Sequence, residues 1–368
     1  MMLDTNLYHG DGKQRPEILE QLAALDIDPD ALNDPRGYLA TPDLAAAVTA
    51  ALVLGMPLLL TGEPGSGKSR LAVSVAHELE LPLLEFAVKS DTQARDLLYR
   101  FDAVGRFHAS QAEGQAADAR RFLTFEAIGR ALLHAKPKEF AHGRQPGQLG
   151  LPEAAVQHPG RSTRSVLLID EIDKAPRDVP NDLLNEVDRM RFTIPELAGE
   201  GEPIPLVQLD RAERRYRPIV IITSNSEKAL PEPFLRRCVY HHLMLPPFRD
   251  DPEAKEVRVT IEQIVLGRLG ERFGGGGDRL FAELMGFFRF LRRDVRGLER
   301  RPGLAELLVW LTALVPEPRH GGPVPSDLDA LDPVLVHDRT RDLLFKNQAD
   351  QARTAELIQQ WRERSAAG

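Results

Sequence analysis

Apolar and polar positions along the chain fall into two alternating patterns. Short unbroken apolar runs occur at Pro57–Leu60, Leu83–Val88, Val166–Ile169 and Ile219–Ile222. Runs this short, closed by turn-formers or carboxylates, predict strands buried on both faces, the habit of a parallel sheet. Between them the spacing turns helical. Leu44, Val48 and Leu52 form one stripe, with Thr41-Pro42 as N-cap and first helical residue and Gly55 as the stop. Leu71, Val75 and Leu79 form a second stripe. Phe125, Ile128 and Leu132 predict a helix over Phe122–Ala135, and Leu184 and Val187 one over Asn181–Met190. The alternation predicts an α/β fold: an αβα sandwich around a parallel sheet.

Two stretches interrupt that alternation. Lys89–Thr92 and Asp96–Phe107 are polar, aromatic and turn-prone, and read as an insertion. Arg191–Pro195 and Pro203–Val207 predict a β-hairpin. Residues 137–163, rich in Pro and Gly, read as a long surface loop. From Pro247 onward the pattern is helical throughout. Ile261–Leu269 is closed by Gly274–Gly277, Phe281, Leu284, Phe288 and Leu291 mark a second helix, and Leu304, Leu307, Leu308 and Leu311 a third. Their apolar faces must pack on one another, which predicts a small all-α lid domain. Pro316–Pro325 reads as a linker. Arg339–Ala366 reads as a charged terminal helix that either reaches another subunit or partner or frays. The expected organisation is an N-terminal arm over 1–36, with a weak amphipathic segment at Glu17–Leu25, and an α/β core over 37–247 with inserts near 89–110 and 191–212. A lid over 248–316 and a linker with terminal helix over 317–368 complete it.

Bulk composition narrows the function more than the fold. The 368 residues are 42% hydrophobic and 28% charged, ordinary for a globular chain long enough for two domains. A net charge of −8 argues against a broad basic face for DNA or RNA. Cys238 is the only cysteine, so a disulfide framework and a cysteine-based zinc site are excluded, as suits a reducing cytoplasm. No stretch approaches the roughly 20 apolar residues of a membrane span.

Three motifs carry chemistry. Gly62-Glu63-Pro64-Gly65-Ser66-Gly67-Lys68-Ser69 fits the phosphate-binding loop G-x-x-x-x-G-K-[ST], between an apolar run and a helical stripe. Glycines there let successive backbone N–H groups turn inward toward phosphate oxygens, Lys68 reaches the β and γ phosphates, and the Ser69 hydroxyl ligates Mg²⁺. The second motif is Val166–Ile169 running into Asp170 and Glu171, where Asp170 would hold Mg²⁺ through water and Glu171 orient and deprotonate a water. The third is Ile219–Thr223 ending at Ser224-Asn225, with Asn225 able to position water or touch a γ-phosphate. Arg236 and Arg237, shortly after, are candidates to stabilise spread phosphoryl charge.

The order GEPGSGKS, LLIDEID, IITSN, LPEPFLRRC and then a helical lid resembles the AAA+ ATPases over roughly residues 37–315. Within them it is similar to the MoxR-like group and to its McrB and dynein-related relatives. The resemblance implies a P-loop NTPase core with ATP and Mg²⁺ as ligands. It implies a ring, commonly hexameric, that acts on a protein client or works with a von Willebrand factor A domain adaptor. Gly62, Pro64, Gly65, Ser66, Gly67, Lys68, Ser69 and Arg70 then form Walker A, Asp170 and Glu171 Walker B, and Asn225 sensor 1. Arg237, with Arg236 as alternate, becomes an arginine finger toward a neighbouring subunit, and Tyr38 and Leu39 lie where family members cradle the base. One departure is plain: the sensor 2 arginine position falls on Gly303 if the prolines align, leaving Arg301 to substitute from another angle. Two rivals remain: a McrB-like motor coupled to nucleic acid, which the acidic charge disfavours, and a nucleotide-gated signalling scaffold with little turnover. The choice between ATP and GTP stays open.

Overall fold

The computed structural model describes residues 31–199, 201–225, 229–274, 278–315 and 325–367. The expected N-terminal arm up to residue 30 and most of the expected 316–325 linker lie outside them. The chain divides into two compact units, one of Pro42–Gly62 with Lys68–Leu243, the other of Met1–Thr41, Glu63–Gly67 and Met244–Gly368.

The first unit begins with α1 (Pro42–Leu54), β1 (Leu58–Gly62), α2 (Lys68–Glu78) and β2 (Leu83–Ala87). An excursion follows: β3 (Tyr99–Phe101), α3 (Ala103–Glu113), β4 (Leu123–Phe125), α4 (Ala127–Ala135), α5 (Lys138–His142) and α6 (Glu153–Val156). The chain then returns through β5 (Val166–Asp170), α7 (Val179–Arg189), β6 (Arg191–Thr193), β7 (Leu206–Gln208), β8 (Ile219–Ser224), α8 (Glu232–Leu235) and β9 (Val239–Leu243). Five strands make one sheet in the order β2-β5-β8-β1-β9. Every pairing in it is parallel. Leu58, Leu59, Leu60, Leu167, Ile169, Val220 and Ile222 are almost fully buried, which is why these runs are apolar without alternation. A parallel sheet flanked by helices is the αβα arrangement expected from the pattern.

Two local readings change, and the 89–110 insertion gains a helix. Leu123–Phe125 is a strand, not the start of a helix: it pairs antiparallel with β3, Tyr99 opposite Phe125 and Phe101 opposite Leu123. Leu123 and Phe125 satisfy both a period of two and one of 3.6, and the Tyr99–Phe125 ring contact at 5.8 Å goes with the strand. The 89–110 insertion is ordered, with α3 capped at its start by Asp102 and at its end by Gly114. The 137–163 segment is no surface loop. Ala141, Leu149, Leu151, Ala155 and Val156 are buried, and Leu149 and Leu151 donate backbone hydrogen bonds to Phe140 and Ala141. Its apolar residues are too scattered among Pro and Gly to show a period, so only packing reveals them as core. The β6–β7 hairpin pairs antiparallel as expected, Phe192 opposite Val207.

The second unit is helical: α9 (Ala254–Val257), α10 (Ile261–Phe273), α11 (Asp278–Arg293), α12 (Leu304–Leu314), α13 (Pro333–Arg339), α14 (Gln348–Ala352) and α15 (Thr354–Ala367). Thr260 and Gln263 form a capping box at α10, which continues to Phe273, beyond the expected Leu269. Phe288, Leu291, Leu307, Trp310 and Leu311 build its core. The expected single terminal helix over 339–366 is broken. A π-helical turn occupies Thr340–Leu344, and Asn347 caps a new start at α14. Leu344, Phe345 and Leu357 are buried in the same core, and the Trp310 indole N–H donates to Thr340 Oγ1 at 3.1 Å. The tail is therefore part of this unit's core, neither a frayed end nor a free arm. No helix among the described residues is long and apolar enough to cross a membrane.

Candidate functional site

In a parallel sheet the carboxyl ends of the strands leave a row of loops, and the motif residues of the first unit gather there. Gly62 closes β1 opposite Leu243. Its φ is +146°, and a Cβ there would sit 2.3 Å from the Leu243 carbonyl oxygen, so no other residue fits so close to that backbone. Lys68 opens α2, is buried, and donates from Nζ to the Gly62 carbonyl at 2.9 Å. Ser69 follows on the same helical turn and donates from Oγ to Asp170 Oδ1 at 2.7 Å. Arg70 is half-buried beside it.

Asp170 is the last residue of β5, and the chain then turns sharply. Glu171 adopts the left-handed conformation, φ +60° and ψ 49°. A non-glycine residue there costs on the order of 1 kcal/mol or more, so the contacts around it must hold it. They come from the neighbouring strand. Thr223 of β8 accepts the Glu171 backbone N–H at 2.9 Å and donates its hydroxyl to Asp170 Oδ1 at 2.5 Å. Asn225, one residue past β8, donates from Nδ2 to Glu171 Oε1 at 3.1 Å, while its own N–H rests on Asp173 Oδ1 at 3.2 Å. Lys174 forms an ion pair with Glu171 Oε2. Glu171 is thus held by Asn225 on one carboxylate oxygen and by Lys174 on the other.

Lys68, Ser69, Asp170, Glu171 and Asn225, all singled out by the sequence, meet at this edge of the sheet, and Thr223 and Lys174, which the sequence did not single out, join them. Thr223 was legible only as a polar residue inside an apolar strand. Lys174 was hidden in a turn whose geometry the sequence does not reveal.

The arginines lie elsewhere. Val239, at the start of β9, is level with Leu58, and Leu243 with Gly62. Four residues of strand separate the two ends, about 13 Å at roughly 3.3 Å per residue. Arg237 precedes Val239, so it stands at the amino end of the sheet, away from Asp170 and Asn225. There its Nε pairs with Asp188 Oδ2 at 3.4 Å. Arg236 is more exposed and faces Glu232 at 3.6 Å. Cys238 between them and the strand is buried, and burial pushes its thiol up to about 12.

The second unit holds the remaining candidates. Within it the loop Glu63–Gly67 turns on Gly65 and Gly67, with φ of +76° and +94°. The Ser66 N–H bonds the Glu63 carbonyl, and the Gly65 carbonyl accepts the N–H of Ala305 at 3.3 Å. Pro64 lies in the same loop, its carbonyl 3.3 Å from where a Cβ on Gly303 would stand. The Ser66 hydroxyl is buried with no hydrogen-bond partner. Tyr38 brings its ring edge 3.6 Å from the Cβ position of Gly67, and burial raises its hydroxyl above the usual tyrosine range. Leu39 beside it is exposed. Gly303 caps α12 by giving its N–H to Glu306 Oε2 at 3.1 Å. Arg301 is exposed and makes no hydrogen bond among the described residues. Instead Arg292, in the last turn of α11, reaches Glu63 Oε2 at 3.3 Å and the Pro302 carbonyl at 3.1 Å. Only its place near a helix end marked Arg292 in the sequence.

These donors suit a triphosphate carrying a hard divalent cation. Lys68 presents a buried ammonium. Ser69 Oγ and Asp170 Oδ1 are adjacent hard oxygens. Among the described residues no cluster of three or more His, Cys, Asp or Glu could hold a metal ion.

Residues 57–238 match the family model for the AAA domain of the dynein-related subfamily, a match that spans the strand before the phosphate loop through Cys238. It supports an AAA+ ATPase with the phosphate-loop αβα fold. No curated protein matches the chain.

Proposed function

Taking an AAA-type ATPase domain over residues 57–238 as the premise, we propose that the protein is a MoxR-like AAA+ motor. In this reading it assembles as a ring in the cytoplasm, hydrolyses ATP with Mg²⁺ at contacts between copies, and uses the cycle to remodel or activate a protein partner. The observation that carries the reading is the split between Arg237 at the amino end of the sheet and Lys68, Asp170 and Asn225 at its carboxyl end. Arg237 then stands away from its own chain's Lys68 and Asp170, and a second copy presenting its Arg237 would complete the site. The β6–β7 hairpin before β8 and the ordered insert after β2 support the MoxR-like assignment, since both stretches resemble inserts of that group.

Lys68 would hold the β and γ phosphates, with the Ser66 hydroxyl and the loop N–H groups as further donors. Ser69 and Asp170 would hold Mg²⁺, which supplies charge neutralisation on the phosphoryl oxygens when bound. Glu171 would orient the attacking water and take its proton, with Asn225 fixing one carboxylate oxygen so that the other faces the water.

A second reading, a nucleotide-gated scaffold with little turnover, is favoured by one contact: Lys174 pairs with that other oxygen and must release it before Glu171 can act as a base.

The test is Mg²⁺-dependent ATP turnover per chain across a wide range of protein concentration, with Arg237→Ala alongside and the assembled mass measured. The motor reading expects specific activity to rise with concentration and Arg237→Ala to abolish it. A monomer with full activity and no response to Arg237→Ala would sink it.

A further inference from the structure

A cavity of about 450 Å³ opens in the first unit, lined by Asp188, Arg189, Met190, Arg191, Gln208, Leu209, Arg214 and Arg217. It sits where the end of α7, the base of the β6–β7 hairpin and the entry to β8 converge. Arg217 lies two residues before Ile219, at the amino end of β8. Ser224 ends that strand five residues on, about 16 Å away at strand rise. The cavity is therefore separate from the Lys68–Asp170–Asn225 group, and its volume is in the range of small-molecule sites.

Four arginines line it against one acidic residue, Asp188, whose carboxylate is already paired with Arg237 at 3.4 Å. The Arg189, Arg191 and Arg214 side chains make no hydrogen bond or ion pair among the described residues. Arg217 has a structural contact, Nη2 to the Val187 carbonyl at 3.4 Å, but its Nε is buried without a partner. Burial lowers the Arg217 pKa against the pull of Asp188, and the neighbouring Arg214 lowers it further. Glu186 does not line the cavity; burial raises its pKa against the pull of Arg191 and Arg189. A cluster of converging cations with an orphaned N–H costs free energy until an anion arrives. Planar guanidinium forks match phosphate oxygens in pairs, and Met190 and Leu209 give the cavity a buried apolar floor for the organic part of an ester.

We propose that this cavity is a second anion site, one that takes the phosphoryl group of a small phosphorylated molecule from solution. It stands independently of nucleotide hydrolysis at the phosphate loop.

The experiment is calorimetric titration of the full chain with inorganic pyrophosphate in a Lys68→Ala background, which removes the phosphate-loop contribution. The expected result is one equivalent bound per chain, weakened roughly tenfold or more by Arg217→Ala and by Arg214→Ala. The Arg214 side chain is exposed and has no hydrogen-bond partner among the described residues, so its variant decides the matter if Arg217→Ala does not fold. Binding unchanged in Arg214→Ala, or citrate binding as tightly at matched ionic strength, overturns the proposal. Absence of binding in Lys68→Ala overturns it too, including the case in which these arginines meet only a phosphate held by a second copy.

Discussion

The Thr223 hydroxyl donates to Asp170 Oδ1 and accepts the backbone N–H of Glu171, so one side chain sets the position of both acidic residues. Thr223→Val keeps the shape and removes both bonds. Turnover is expected to fall on the order of tenfold or more, since a hydrogen bond to a charged group contributes about 1.5–3 kcal/mol. Thr223→Ser should restore most of it. Steady-state ATPase assays on the two variants check this, and a loss in Thr223→Ser with none in Thr223→Val would mean that the methyl group matters and the hydroxyl does not.

Glu171 is gripped by Asn225 and Lys174, and the two contacts have opposite consequences for catalysis. Glu171→Gln should abolish measurable turnover while leaving nucleotide binding in place. Lys174→Ala should raise turnover several-fold, because an exposed ion pair is weak but competes directly for the catalytic oxygen. Single-turnover rates compare the variants. A residual rate unchanged by Glu171→Gln would favour the scaffold reading.

Leu357 is fully buried in the helical core although it lies near the end of the chain. Leu357→Ala is expected to cost about 2–5 kcal/mol, the usual range for a core leucine, whereas a frayed tail would lose almost nothing. Chemical denaturation followed by the fluorescence of Trp310 and Trp361 measures the loss.

His134 is buried, its Nε2 beside the Val156 carbonyl at 3.2 Å and its Nδ1 without a partner. Burial lowers its pKa below the usual histidine value. Above about pH 6.5 it is neutral in both folded and unfolded chains and has no effect. As pH falls below that value the unfolded chain binds the proton first, so stability drops. The urea midpoint should be lower at pH 5.5 than at pH 7.5, and His134→Gln should shrink the difference.

The sequence by itself determined the parallel sheet and the chemistry at its carboxyl edge. Runs such as Leu58–Leu60 and Val166–Ile169 must be buried on both faces, and the phosphate-loop pattern has few other physical solutions than a strand, a glycine turn and a helix. Local rules suffice there because composition and spacing act within a few residues. Tertiary structure alone decided the rest. Leu123–Phe125 became a strand because Tyr99–Phe101 was available to pair with it, and the scattered apolar residues of 137–163 became core only when a surface was presented to them. Thr223 and Arg292 acquired their partners across more than fifty residues of chain, and Arg189, Arg191, Arg214 and Arg217 converge from three separate elements. Contacts between elements distant in sequence leave no periodic trace, since each residue's period reports its own helix or strand and nothing of what packs against it.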